Sequence, residues 1–391
     1  MTSIKQFSST DPGAPVLSGT AGALAAILKA YLVDGRGASA VQGITVAGGM
    51  ATAAYASAHP FAVGSIALFA GATPLALNGE QRIVSRTANS VTFLAPGVID
   101  GPATGSITSK LAPAGWQQLF AGASPANVLC IKSAHAAATG NALRIEDADP
   151  LSARLVGYEA MSDASTGVGP FPTPAQQAGG QYWHKSNAAG GDARPWRLIS
   201  DGRALHLWVS MHSSGQDRGQ LLSFGDLLAA KAGDSWATIL GGMEPITNSS
   251  VSQEGCTGYG QPTIAARSVF VIARSHSGVG GSRPVKKIAA FNTAAGYSGS
   301  TVYNSDGLSY PNPADNSLRL TPVEVVESGS LRGLIPGVYH CPQRLVGFFA
   351  TGDLVQGTGA FAEDTFMALA VGPQYGGNPG VVFIKLTGSW R

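Results

Sequence analysis

The chain carries seven histidines, three cysteines and 23 Asp or Glu residues. These side chains are the ones best suited to hold a metal, move a proton or attack a carbonyl. His206 and His212 lie in "ALHLWVSMH", where Leu205, Leu207, Val209 and Met211 alternate with His206, Trp208, Ser210 and His212. That period of two reads as a half-buried strand with both histidines on one face. Six residues of strand span roughly 20 Å, whereas a metal needs its ligands within about 2 Å of itself, so an unbroken strand cannot bring both rings to one ion. The other five histidines are scattered singly.

The most acidic stretch, "RIEDADPLSARLVGYEAMSD", holds Glu146, Asp147, Asp149, Glu159 and Asp163. A glycosidase needs two carboxyl groups about 5–10 Å apart across a cleft. Asp-Ala-Asp-Pro reads first as a turn between strands, with catalysis and calcium binding as the functional alternatives. "GGQYWHKSN" clusters Tyr182, Trp183 and His184 in a glycine-rich setting. These three residues either anchor a long loop in the core or form an exposed platform for a partner or a glycan.

Cys130, Cys256 and Cys341 are widely separated and form no C-x-x-C pair. This excludes a local zinc knuckle, argues against a disulfide scaffold and favours folding in a reducing cytoplasm. There is no Walker motif, no strand-flanked G-x-G-x-x-G and no H-E-x-x-H, and "GYSGS" (296–300) misses the nucleophile-elbow pattern at its last position. The residues imply no cofactor, no metal and no enzyme.

The elements that would have to position these groups are mostly strands. Over 40–112, "GITVAGGMATAAYA", "GSIALFAG", "QRIVSRTA", "SVTFLAPG" and "TGSITSKLA" are short Val-, Ile-, Thr- and Phe-bearing runs separated by Gly, Asn and Pro, the pattern of a small sandwich or barrel. Asn78-Gly79 and "TANS" read as turns between them. Residues 110–127 read as a connector. Beyond them come further strand-like runs, among them "NVLCIKSA", "ALRIEDA", "PWRLISD", "RLVGFFAT", "TFMALAVG" and "GVVFIKLTG". A helical pattern is found over 221–233 and, much more clearly, over 20–33. There Leu24, Ile27, Leu28, Tyr31 and Leu32 form one stripe, with Ser18 or Thr20 as candidate cap and Gly35 as terminator. Residues 1–17, with Asp11, Pro12, Gly13 and Pro15 as turn formers, read as an extended arm. The fold expected is mainly β: an N-terminal arm and amphipathic helix (1–36), a small β-sandwich or barrel module (40–112) and a large β-rich, sandwich-like domain (113–391).

Composition narrows the partners. Only 12 % of residues are charged and 52 are glycine, against ordinary values of about 25 % and about 7 %. The formal net charge is +2, without the basic face of a nucleic-acid binder. A charge-poor surface suits subunit interfaces, whose cores are depleted of charge. The N-terminal stretch lacks the apolar core of a leader peptide. The most apolar segment, residues 21–33, contains Lys29 and is shorter than the ~20 residues a membrane span needs.

Several segments together resemble a family of uncharacterised structural proteins of tailed phages and prophages. They are "DPGAPVLSGTAGALAAILKAYLVDG", "VGSIALFAGATPLALNGEQRIVSRTANSVTFLAPG" with "ATGSITSK", "VGYEAMSDASTGVGPFP", "SLRGLIPGVYHCP" and "VFIKLTGSW". These are turn and strand motifs, so the resemblance implies architecture and brings no catalytic residues. It implies a non-enzymatic virion subunit made in the host cytoplasm, most simply in the tail tip or baseplate. Its partners would be other virion proteins and further copies of itself, as a trimer or hexamer. A receptor- or glycan-binding tail module at Tyr182, Trp183 and His184, and a capsid decoration or head-fibre protein, are the alternatives.

Overall fold

The computed structural model describes residues 4–122, 127–213, 218–243, 268–289, 308–343, 345, 347–371 and 380–391. Cys256 and "GYSGS" lie outside the described residues. The chain is mainly β, with 49 % strand and 6 % helix.

The eight-stranded sheet is built entirely from residues 36–111. Its strands run in the order Arg36–Ala40, Thr108–Leu111, Ile66–Ala70, Gly79–Arg86, Ser90–Leu94, Met50–Ala54, Gly43–Ala47 and Gly101–Pro102. Alternation is clear in Gly43–Ala47 and Met50–Ala54, where Ile44, Val46, Ala51 and Ala53 are buried and their neighbours are more exposed. One face is therefore core and the other faces water. The two strands are joined by Gly48-Gly49 with φ of 57° and 75°, the left-handed pair that a tight hairpin requires. The longest strand pairs with Ile66–Ala70 through Gly79–Arg82 and with Ser90–Leu94 through Ile83–Arg86. The register shifts between Ile83 and Ser85, and a bulge of this kind bends the sheet around its core. Phe69 and Phe93 stack inside it with ring centroids 4.8 Å apart. "TANS" turns as expected, with Thr87 N–H donating to Ser90 O at 2.9 Å. At Asn78 the outcome differs. Its side chain accepts from Ala72 N–H at 2.8 Å and donates to Ala72 O at 2.7 Å, bracing a longer loop while Gly79 begins the next strand.

Most of the remaining strands join one large, 18-stranded antiparallel network, and two short two-stranded pairs, Ala160–Met161 with Gly167–Val168 and Leu17–Gly19 with Gly190–Arg194, stand outside it. The network's central strands Ala204–Val209, Gln220–Asp226 and Thr238–Met243 are buried at every position. The half-buried strand expected at 204–212 is therefore covered on both faces. The helical pattern at 221–233 gives way to strands: Gly225 adopts φ 133° with no room for a side chain beside Arg203 O, and ladder pairing on both sides outweighs local propensity. The presumed connector contains the strand Trp116–Gly122, which pairs with Val128–Ser133. "RLVGFFAT" is not a strand among its described residues and makes a turn at 347–348.

The arm is built into its own chain. Lys5–Ser8 pairs with Arg197–Ser200, and Leu17 and Gly19 pair with Arg194 and Gly190. The helix is α-helical over Ala23–Leu28 and widens to a π turn over Lys29–Asp34 before Gly35 at φ 71°. All five residues of its apolar stripe are buried. Tyr31 lies between Phe7 and Trp196, with ring centroids at 4.6 and 5.4 Å. The same hydrophobic cluster runs from Ile44 and Phe93 through Leu24 and Tyr31 to Leu155 and Trp183. The stripe is thus buried within the chain and presents no apolar face to a neighbour.

Candidate functional site

The strand Gln181–His184 places the three sequence-predicted residues side by side and in different environments. It pairs with Ser152–Leu155. Trp183 is 0 % exposed and its indole N–H donates to Gly241 O at 2.7 Å. His184 is also buried, hydrogen-bonded through Nδ1 to Ser152 Oγ at 2.6 Å, and its carbonyl accepts from the Gln220 amide. As neighbours in a strand, Trp183 and His184 point to opposite faces, and both faces are covered there. This corrects the expectation of an exposed platform for Trp183 and His184 and matches core anchoring. Tyr182, on the same face as His184 with ring centroids 6.0 Å apart, is only half-buried. The Arg154 guanidinium lies 3.7 Å from its ring centroid and also donates to its hydroxyl at 2.6 Å.

The next residue, Lys185, is the one the motif hid. It is 0 % exposed and ion-paired to Asp147, itself 0 % exposed. Lys185 Nζ also donates to Thr20 O at 2.7 Å. Asp147 Oδ2 accepts from the backbone N–H groups of Leu24 at 2.7 Å and Ala25 at 3.0 Å, and Asp147 O accepts from Gly22 N–H at 2.7 Å. A carboxylate from 123 positions beyond Leu24 therefore takes the capping role that the pattern assigns to Ser18 or Thr20, and Gly22 enters the helix at φ 79°. Acidic caps suit the unpaired N–H groups and positive end of a helix. Burial raises the Asp147 carboxyl above its ordinary value, against the lowering pull of Lys185 and the two N–H donors.

The rest of the acidic stretch serves structure. Glu146 pairs with Arg144 at 2.8 Å, Glu159 with Arg274 at 2.5 Å, and Asp149 and Asp163 accept backbone N–H groups of their own turns. His206 is buried between Ser223 Oγ and Pro336 O, both at 2.8 Å, and burial pushes its pKa down to about 4. His212 lies beyond the end of its strand, hydrogen-bonded to Asn187 at 3.0 Å. Among the described residues no group of three or more His, Cys, Asp or Glu could hold a metal. Burial raises the thiols of Cys130 and Cys341 to about 11 and about 12, which keeps them protonated and poorly nucleophilic at neutral pH.

Three clefts open elsewhere. One of about 200 Å³ lies where the arm meets the small module, between Phe7, Pro60, Arg197 and Met367. A polar one of about 370 Å³ is lined by Thr139, Arg203, Asp226 and Arg391. Its charges are mutually engaged: Asp226 accepts from Thr139 Oγ1 at 2.6 Å and pairs with Arg203 at 3.1 Å, and Arg391 pairs with Asp201 at 2.8 Å. The third, about 410 Å³, holds Phe348, Phe349, Arg218 and Asp353. None of the three is lined by Tyr182, Trp183 or His184. No helix among the described residues is long and apolar enough to cross a membrane. No protein-family model matches the sequence, and no curated protein matches it.

Proposed function

We propose that this chain is a non-enzymatic structural subunit of a tailed-bacteriophage virion, placed at the tail tip, baseplate or tail-associated apparatus and acting by assembly with copies of itself and with other virion proteins. The observation that carries the reading is how the ionisable side chains are used. Asp147 with Lys185, Arg332 with Asp234 and Glu327, Arg391 with Asp201, and Lys5 with Glu80 each tie together segments distant in the chain or close a buried turn. Such groups brace a building block. The turn and strand segments that resemble phage structural proteins support the same reading, as does the low surface charge. Closed symmetric rings are the expected assemblies for such a part.

Deleting the gene from the phage or prophage that encodes it tests the proposal. The expected result is arrested or incomplete particles that the supplied protein restores. Normal, infectious particles from the deletion would refute it.

A second reading, host-glycan contact, is favoured by one cluster. Phe348 is 54 % exposed, and Tyr310 packs on Phe348 and Phe349 with ring centroids at 5.0 and 5.5 Å. Half-exposed aromatic faces beside Asp353 are suited to stacking on sugar rings. On this reading the contact moves from Tyr182 to the Phe348 cleft. Loss of host adsorption in Phe348→Ala, with particle assembly intact, would support it.

A further inference from the structure

The Asp147–Lys185 pair has the geometry of an amide-forming centre as well as of a brace. Both side chains are 0 % exposed. Lys185 Nζ is in hydrogen-bond contact with Asp147 Oδ1 and is oriented on its other side by Thr20 O at 2.7 Å. The second carboxyl oxygen, Oδ2, receives two convergent backbone N–H groups, from Leu24 at 2.7 Å and Ala25 at 3.0 Å. Two fixed donors on one oxygen are what stabilises the negative charge that develops on a carbonyl oxygen when its carbon is attacked by a nucleophile. Amine and carboxyl groups held in contact also react as if at very high concentration, with effective molarities of about 10⁵–10⁸ M for well-oriented pairs.

We propose that Lys185 Nζ condenses with Asp147 Cγ to form an intramolecular side-chain amide, releasing one water molecule. The ammonium first passes a proton to the carboxylate, giving amine and carboxylic acid. The Nζ lone pair then forms the bond to Cγ, and the developing charge rests on Oδ2 between the Leu24 and Ala25 N–H groups. A proton from Nζ passes to Oδ1, the Cγ–Oδ1 bond breaks, and Oδ1 leaves as water. The product keeps one N–H to donate to Thr20 O and one carbonyl oxygen for the two backbone donors. No oxidant, reductant or co-reactant is needed. Burial, which raises the Asp147 carboxyl, favours the protonated acid from which water departs. A neutral amide also removes two charges from a dry site, where desolvation of an ion pair is costly. The bond would join the turn that carries Asp147 covalently to the residue that follows the strand Gln181–His184, with the start of the helix held to it by hydrogen bonds, in a chain whose described cysteines are free. It holds whether or not the protein is a virion part.

Intact mass spectrometry of the denatured full chain, with peptide mapping, tests this. The expected mass is lower than the sequence mass by one water, with a branched peptide joining the segments that carry residues 147 and 185. Lys185→Arg should restore the full sequence mass. Wild-type protein at its full sequence mass with two linear peptides, or a water loss that survives in Lys185→Arg, would overturn the proposal.

Discussion

Residues 36–111 and the large sheet network bury their polar groups differently. In the small module the buried cross-links join uncharged groups: Tyr55 hydroxyl with Ser109 Oγ at 2.9 Å, and the Asn78 amide with both backbone groups of Ala72. In the large network they are ionic. Arg332, 1 % exposed, reaches Asp234 at 2.8 Å and contacts Glu327, both nearly as buried, and Asp147 meets Lys185 in full burial. The contrast follows from burial. A sheet with one wet face can turn its charges outward, whereas strands covered on both faces must pair any charge they carry. The small module should therefore respond weakly to charge deletion and to acid, and the large network strongly.

The largest effect is expected from Arg332→Ala. It strands two buried carboxylates and should destabilise the large network by about 3–5 kcal/mol. Tyr55→Phe in the small module should cost only about 1 kcal/mol. Denaturant melts of both variants check the comparison, and equal losses would break it.

Acid should separate the regions next. His206 and His340 are buried and uncharged, with pKa values lowered by desolvation from 6.5 to about 4. The unfolded chain binds protons on both as pH falls below about 6.5, while the folded chain resists until about 4. Their contribution is therefore complete at pH 7 and is lost as pH falls through that window. At one pKa unit per 1.36 kcal/mol, each histidine accounts for about 3 kcal/mol. Thermal melts at pH 7 and pH 4.5 should show the loss, and His340→Gln should reduce its size. A pH-independent melting temperature would contradict it.

A backbone change in the small module sharpens the comparison from the other side. Gly71 sits at φ 83°, and an added Cβ would lie 2.2 Å from Ser106 O. Gly71→Ala should cost about 1–3 kcal/mol in backbone strain and leave the acid sensitivity of the large network unchanged. Melts of this variant at the same two pH values measure both.

The parts of the molecule legible in the sequence are those with a local period. The stripe from Leu24 to Leu32 and the alternation across Gly43–Ala54 depend only on neighbours three, four or two residues away, and both lie where the pattern puts them. The strand Gln220–Asp226 was harder, because burial on both faces erases the alternation, while Ala204–Val209 was legible as a strand but not its burial on both faces. The Asp147–Lys185 centre had no local signal. Asp147 looked like a turn residue, nothing in the pattern singled out Lys185, and only the fold brings them together at the start of the helix. At Trp183 the sequence left core anchor and exposed platform open and the ring is fully buried, whereas the exposed aromatic cluster around Phe348 lay in a stretch that resembled a strand.

The measurement closest to the central claim, the proposal that this chain is a subunit of a tailed-phage particle, is a cryo-electron reconstruction of the intact particles proposed to contain it. The account predicts that the eight-stranded module and the large sheet network fit density in the tail tip or baseplate, repeated about a three-fold or six-fold axis. Particles that are complete and infectious yet contain no density and no peptide of this chain would contradict it.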